Sequence, residues 1–113
     1  MITLKDYLAA IGGHNLTPGI DPEKIQIKGA YVSDMLSDVM GNGKAELIWI
    51  TIMKHLNVLA VASMTSIPAV LFAKGVVPEA SVIEKALEED VCLITSPLST
   101  FDLAGILYKM LGL

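Results

Sequence analysis

Apolar positions along this chain follow two different spacings, one typical of strands and one typical of helices. Four runs are nearly continuous in apolar residues or alternate with a period of two, which indicates strands. They are 24–32 (KIQIKGAYV), 45–53 (AELIWITIM), 67–75 (IPAVLFAKG) and 91–97 (VCLITSP). The segments between and after them have helical spacing, at 34–40, 55–64, 78–90 and 99–111. A short amphipathic helix, 3–12 (TLKDYLAAIG), precedes a turn-rich connector, 12–24.

Four strand–helix pairs after a leading helix indicate one α/β domain. Strands that are apolar throughout are buried on both faces, as in parallel sheets covered by helices on two sides. The prediction is a three-layer α/β/α fold with a mainly parallel sheet of about four to five strands. We find no linker, low-complexity tract or repeat, so residues 1–113 are taken as a single domain.

Several residues have the chemistry of helix ends. Thr3 is the expected N-cap of the first helix, and Gly12 or Gly13 its stop. Ser99 with Asp102 forms a variant of the capping box before the last helix. Ser33 or Asp34 stands where the cap of helix 34–40 belongs.

The composition suggests more apolar surface than one small core needs. Hydrophobic residues make up 53% of the 113 residues, whereas charged residues make up 18%. We therefore predict a homo-oligomer, most simply a two-fold dimer. Helix 34–40 and the residue run before it supply the expected contacts, Tyr31, Met35, Val39 and Met40. The alternative is that these side chains all pack inside one subunit.

The charges exclude some partners. The net charge is −4, and all eight cations are lysines. Arginine is the side chain that grips phosphates with two parallel hydrogen bonds, so its absence argues against nucleic-acid binding and against an arginine-assisted phosphotransferase. Lysines, backbone amides and helix N-termini could still hold one small anion.

The sequence has few residues suited to metal binding, redox chemistry or insertion into a membrane. Cys92, His14 and His55 lack the spacing of metal ligands, so no metal and no cofactor are expected. A single cysteine, interpreted as a core residue, fits a reducing compartment, and we expect a cytoplasmic protein. Segment 55–73 carries no acid or lysine, but polar residues and Pro68 interrupt it, so we predict no membrane span.

Polar side chains follow each predicted strand, where parallel sheets bind ligands. The predicted ligand-binding residues are Ser33, Asp34, Thr51, His55, Lys74, Thr95, Ser96 and Ser99. The competing interpretation is that loops are polar simply because they are at the surface.

Two aspartates, Asp34 and Asp38, lie four residues apart and raise the question of a catalytic pair. Helix capping and a solvated surface explain them more simply, and no catalytic residue is assigned. His55 is either a general base or ligand donor, or a hydrogen-bonded structural histidine. "GNGK" at 41–44 lacks the first glycine of a phosphate loop and precedes a strand, so we discard that motif.

Three segments resemble a known family: "GAYVSDMLSDVM", "WITIMKHLNVLAVAS" and "VCLITSPLSTFDLAGILYKML" are similar to stand-alone DRTGG-domain proteins, over roughly residues 4–111. The region from "LKDYLAAIGG" through "IKGAYVSD" also resembles the start of the HPr kinase N-terminal domain. The resemblance implies a three-layer α/β domain that is not a kinase and that has a regulatory or ligand-sensing role. It also implies a link to iron-only hydrogenases and redox metabolism. The chain contains no Asp-Arg-Thr-Gly-Gly, and no catalytic residues carry over.

The sequence thus leads to a functional hypothesis with two alternatives. The first is a non-enzymatic sensor that binds a small anionic metabolite or nucleotide at the strand C-terminal edge. The second is an adaptor or assembly subunit that binds a protein partner. The third is a small hydrolase or transferase that uses Asp34, His55 and a strand-end hydroxyl.

Overall fold

The computed structural model describes residues 1–113 as five α-helices and seven strands. The helices are α1 (Leu4–Ile11), α2 (Leu36–Asn42), α3 (Asn57–Thr65), α4 (Ala80–Glu89) and α5 (Thr100–Met110). The strands are β1 (Ile2–Thr3), β2 (His14–Asn15), β3 (Gln26–Ile27), β4 (Gly29–Val32), β5 (Leu47–Thr51), β6 (Ala69–Phe72) and β7 (Cys92–Thr95). One turn of 3₁₀-helix covers Pro22–Lys24.

The main sheet has five strands in the order β2-β7-β6-β5-β4. Strands β4 to β7 are parallel, and only the edge strand β2 is antiparallel, against β7. The predicted three-layer fold with a mainly parallel sheet is therefore confirmed. A separate antiparallel ribbon joins β1 to β3.

The order of the strands decides where the helices lie. The chain moves from β4 to β7 one neighbour at a time, so right-handed crossovers place α2, α3 and α4 on the same face. Those helices share one apolar cluster centred on Trp49, Val70 and Phe72. Helices α1 and α5 pack on the other face, over Ile48 and Leu71.

The inner strands are buried on both faces, which explains why their sequences lack alternation. In β6, Ala69 and Leu71 face the α1/α5 layer, while Val70 and Phe72 face the other layer, and all four are fully buried. Such strands read as apolar runs because each face meets a helix layer.

Two details of the predicted topology are wrong. The predicted strand 24–32 is two strands, because β3 pairs with β1 whereas β4 joins the main sheet. The connector 12–24 contains β2, which was not predicted because two residues carry no periodicity. Asn15 fixes this segment by accepting hydrogen bonds from the Thr17 backbone N–H and hydroxyl, both at 2.9 Å.

The helices of this fold are short, and none combines the length and the apolar character that crossing a bilayer requires.

Candidate functional site

The C-terminal edge of β6 and β7 is the place where a sheet of this topology would leave a crevice. The connection after β6 leads to α4 on one face, and the connection after β7 leads to α5 on the other. Here the two loops close that space by bonding to each other. The Lys74 N–H donates to the Leu98 carbonyl and the Gly75 N–H to the Ser96 carbonyl, both at 2.8 Å.

Left-handed backbone at Lys74 (φ 58°) and Gly75 (φ 69°) makes this close approach possible. The Thr95 hydroxyl adds a third link by donating to the Val76 carbonyl at 2.7 Å. The predicted crevice between these strand ends is therefore occupied by the protein's own loops.

The strand-end hydroxyls are structural. Ser96 is buried, and its hydroxyl donates to the Ile11 carbonyl at 2.7 Å, which ties β7 to the end of α1. Thr51 is also buried, and its hydroxyl donates to Asp34 Oδ1 at 2.6 Å. The hydroxyls of Thr51, Thr95 and Ser96 each donate to a protein acceptor, and their role in ligand binding stays a prediction.

Asp34 joins two strands and does not cap a helix. Besides the Thr51 hydroxyl, its Oδ1 accepts the Ile52 N–H at 3.0 Å, so the carboxylate holds the end of β5. Ser33 does not cap the helix either, since its hydroxyl accepts the Met35 N–H and its carbonyl accepts Trp49 Nε1–H. The capping prediction at Ser33 and Asp34 is wrong. The N-cap of α2 is Met35, which makes no side-chain bond.

Asp38 is also a structural residue. Its Oδ1 accepts the Tyr31 hydroxyl at 2.8 Å and the Asn42 side chain at 3.2 Å. This bond raises the pKa of the Tyr31 hydroxyl. The two aspartates thus hold different elements and do not face a shared substrate position.

The largest open groove lies on the face covered by α2, α3 and α4, just beyond the end of β5. Its volume is about 750 Å³. The lining residues are Leu36, Met53, Lys54, His55, Leu56, Asn57, Glu79, Ser81 and Val82. Because these residues include the first turns of all three helices, we call this cavity the first-turn groove.

None of the three helices around the first-turn groove has a side-chain cap. Met35, Leu56 and Glu79 occupy the N-cap positions of α2, α3 and α4, and none bonds to the first turn. On the other face, Thr3 accepts the Asp6 N–H and Ser99 accepts the Asp102 N–H. The N-caps predicted at Thr3 and Ser99 are confirmed.

The groove combines an apolar wall with exposed polar groups. Leu36, Met53 and Val82 supply apolar surface. Lys54 and His55 are exposed, and neither side chain forms a hydrogen bond or an ion pair. The interpretation of His55 as a hydrogen-bonded structural histidine is therefore wrong.

Of the eight predicted ligand residues, only His55 lines the groove. The sequence did not reveal Leu36, Leu56, Glu79 and Ser81 as lining residues. One signal was available: no Ser, Thr, Asp or Asn stands at the N-caps of α3 and α4.

One of the predicted interface contacts changes with the structure. Val39 lies on the inner face of α2 and is fully buried in the cluster around Trp49, so the prediction that it contacts a partner subunit is wrong. Met35 and Met40 are exposed, and Tyr31 is partly buried at the edge of the sheet. No group of three or more His, Cys, Asp or Glu side chains is arranged to hold a metal ion.

Comparison with known proteins gives one informative match. No protein-family model matches the chain, and no curated protein matches it. A solved structure does: the CBS and DRTGG domains of the regulatory region of Clostridium perfringens pyrophosphatase, complexed with its activator diadenosine tetraphosphate. The TM-score is 0.69 at 15% identity. The match covers 91% of this chain and 44% of the other, so this chain spans less than half of its length. At this identity the similarity shows that the chain shares a fold with part of that CBS and DRTGG region.

Proposed function

We propose that this chain is a non-enzymatic, ligand-sensing regulatory domain of the DRTGG kind, which binds a small anionic metabolite or nucleotide in the first-turn groove. One observation carries the proposal: a cavity of about 750 Å³ where three uncapped helix starts meet an exposed lysine. Its size lies within the usual range of small-molecule pockets.

The backbone around β5 and α3 supports an anionic ligand. No protein acceptor bonds to the N–H groups of residues 54–57. Helix N-termini carry partial positive charge, and free amides there bind phosphate and carboxylate groups. Lys54 adds a full positive charge beside them.

The apolar wall favours a ligand that has a flat, apolar part in addition to its charged group. Leu36, Met53 and Val82 offer a surface on which a nucleobase could pack. Glu79 also lines the groove, and its negative charge disfavours a ligand that places a second anionic group on that side. A nucleotide with one charged end and one apolar end fits this arrangement.

The same residues give little support for catalysis. His55 has no hydroxyl, thiol or carboxylate within hydrogen-bond reach, and Asp34 is engaged with β5. A nucleophile needs an adjacent base, and the groove has no such pair. A binding role requires only the amides, Lys54 and the apolar wall.

The likeness of fold is a second, weaker support. The matched structure is a regulatory region complexed with a nucleotide activator. Together with the sequence resemblance to DRTGG-domain proteins, it favours regulation over metabolism of the ligand. The link to hydrogenases and redox metabolism stays a prediction from that resemblance alone.

Thermal-shift and calorimetric titrations test the proposal with four probes: ATP, diadenosine tetraphosphate, inorganic phosphate and uncharged adenosine. A ligand at 100 times its Kd adds about 2.7 kcal/mol to the free energy of unfolding. We expect at least one nucleotide to raise the Tm, and adenosine to have a smaller effect. No response to any nucleotide at millimolar concentration would contradict the proposal.

A matched pair of lysine variants locates the binding. Lys54→Ala removes the cation in the groove, whereas Lys74→Ala removes an exposed strand-end lysine that does not line it. We expect Lys54→Ala to weaken nucleotide binding about tenfold, the scale of one charge-assisted hydrogen bond, and Lys74→Ala to leave the Kd unchanged. Equal effects of the two substitutions would remove the groove as the site.

A further inference from the structure

The open edge of the main sheet carries features that the proposed function does not use. Strand β4 pairs only with β5, so its other side has no protein partner. The Lys28 N–H bonds to the Glu46 carbonyl, so by the alternation of the ladder the N–H groups of Gly29 and Tyr31 point outward. The opposite edge is only the two-residue strand β2. An unpaired, uncharged edge such as β4 is a template for another strand.

An apolar groove of about 300 Å³ runs beside this edge on the α5 side. Gly29, Ala30 and Val32 form one wall, and the C-terminal half of α5 with the residues after it forms the other. Eight of its nine lining residues are hydrophobic. Val32 and Tyr108 are exposed there although both are large and apolar in character. We call this strand and its groove the β4 edge.

We propose that the β4 edge binds a second copy of this chain, with β4 pairing antiparallel to the partner's β4 about a two-fold axis at Tyr31. Each Tyr31 then forms backbone hydrogen bonds with the partner's Tyr31, because their N–H groups point outward. Ala30 lies opposite the partner's Val32, and both belong to the apolar groove. The two sheets become one continuous ten-stranded sheet.

The charges at the ends of β4 favour this register. Lys28 and Asp34 lie three residues before and three residues after Tyr31, so the two-fold axis places each Lys28 opposite the partner's Asp34. Asp34 Oδ1 is engaged with β5, and Oδ2 has no partner. Lys28 binds only Glu46 at 3.4 Å, an exposed pair that leaves it free to reorient. Opposite charges directly across antiparallel strands are stabilising.

The extent of the surface favours a second copy over an extended peptide. A stable dimer buries roughly 800 Å² on each subunit, which one four-residue strand does not supply. A second copy also brings its own Tyr108 and Leu111 to the groove, whereas a single peptide strand brings none. This interface differs from the one predicted on helix 34–40, because it is centred on the strand and excludes the buried Val39.

Light scattering and sedimentation across a dilution series test the interface. We expect the native chain to show about twice 12.1 kDa at high micromolar concentration. Val32→Lys places a charge at the β4 edge and should weaken dimerisation roughly 100-fold or more, as expected for an unpaired charge in an interface. Met64→Lys is the matched control, since Met64 is 72% exposed on α3, away from the edge. It should leave the mass of the dimer unchanged.

A second variant keeps the test decisive if Val32→Lys fails to fold by circular dichroism. Lys28→Glu changes an exposed side chain and should weaken the dimer about tenfold by placing two acids opposite each other. A native chain that stays at 12.1 kDa overturns the proposal. A dimer unaffected by both Val32→Lys and Lys28→Glu also overturns it. A dimer lost only in Met64→Lys would move the interface to α3.

Discussion

The two helix layers of this protein differ in how the N–H groups at the helix N-termini are bonded. The first N–H groups of every helix lack an intrahelical acceptor. In the α1/α5 layer, the Thr3 and Ser99 hydroxyls accept one N–H group each. In the layer of α2, α3 and α4, no side chain does so, and the three helix starts border one groove. The two layers thus differ in side-chain capping, and the ligand site that we propose lies at the uncapped helix starts.

The reasons differ among the three uncapped helices. Leu56 has helical backbone angles, unlike the capped ends, whereas Met35 is extended but with ψ 115°, lower than the 152° of Thr3 and the 161° of Ser99. Glu79 has φ −64° and ψ 157°, close to the φ −72° and ψ 161° of Ser99. The backbone before α4 could therefore accept a cap, and only the side chain is unsuitable.

The largest expected effect is a loss of stability at high pH, caused by a tyrosine buried in the capped α1/α5 layer. The Tyr7 hydroxyl donates to the Leu103 carbonyl at 2.6 Å and joins α1 to α5. Burial raises the pKa of Tyr7 well above its ordinary value of 10.0. The unfolded chain therefore loses this proton first, so stability is complete below pH 10 and falls as pH rises above it. The loss is about 1.4 kcal/mol per pH unit.

Tyr7→Phe should remove that part of the alkaline loss while lowering stability at neutral pH by about 1 kcal/mol. Tyr108→Phe, at an exposed tyrosine, is the control and should follow the native curve. Urea unfolding between pH 8 and about pH 12 measures both variants. Identical alkaline curves for the native chain and Tyr7→Phe would contradict the prediction.

The next effect concerns Asp34, the residue that stands near the start of α2 but holds β5. Asp34→Ala removes the acceptor of the Thr51 hydroxyl and of the Ile52 N–H, so we expect a loss of about 2 kcal/mol. Asp34→Asn keeps an acceptor oxygen and should lose less. Chemical denaturation measures the free energy of unfolding of both variants. An Asp34→Ala variant as stable as the native chain would show that Asp34 is only a solvated surface residue.

Removing a cap should distinguish the two layers directly. Ser99→Ala should lower the free energy of unfolding by about 1 kcal/mol, because the Asp102 N–H loses its acceptor. Ser37→Ala makes the same chemical change in the first turn of α2, where the hydroxyl bonds to nothing, and should cost less than about 0.5 kcal/mol. Equal losses in the two variants would break the comparison.

Adding a cap should have the smallest effect and the opposite sign. Glu79→Ser places a hydroxyl on a backbone that already has cap geometry, so we expect a gain of about 0.5–1 kcal/mol. The matched control is Glu84→Ser, an exposed substitution within the same helix, which should not stabilise. A loss of stability in Glu79→Ser would contradict this prediction and would show that the Glu79 side chain itself stabilises the fold.

The sequence predicted the layers of this fold more reliably than it predicted the site. Apolar runs such as "LIWIT" and "AVLF" identify buried strands because each face must meet a helix layer. Thr3 and Ser99 were found because their caps are local, within three residues. The short strands β1 and β2 were missed because two residues have no period, and β3 was predicted only as part of a single strand, 24–32.

The site depended on contacts that no local pattern contains. Thr51, Thr95 and Ser96 were polar at the correct edge of the sheet, yet each hydroxyl bonds to a residue distant in sequence. Whether a strand-end hydroxyl points to a ligand or into the protein depends on that long-range pairing. The groove is lined by residues from α2, from the segment after β5 and from the start of α4, which a search for chemical motifs does not bring together.

Whether the first-turn groove is the binding site is tested by observing the backbone amides by NMR during titration with ATP and, separately, with inorganic phosphate. We expect ATP to shift the amide signals of residues 54–57, Glu79 and Ser81 most strongly, because these residues line the groove and no protein acceptor bonds to their N–H groups. The capped starts at residues 4–6 and 100–102 should change little. Absent shifts, or shifts of equal size at the capped and uncapped helix starts, would contradict the account.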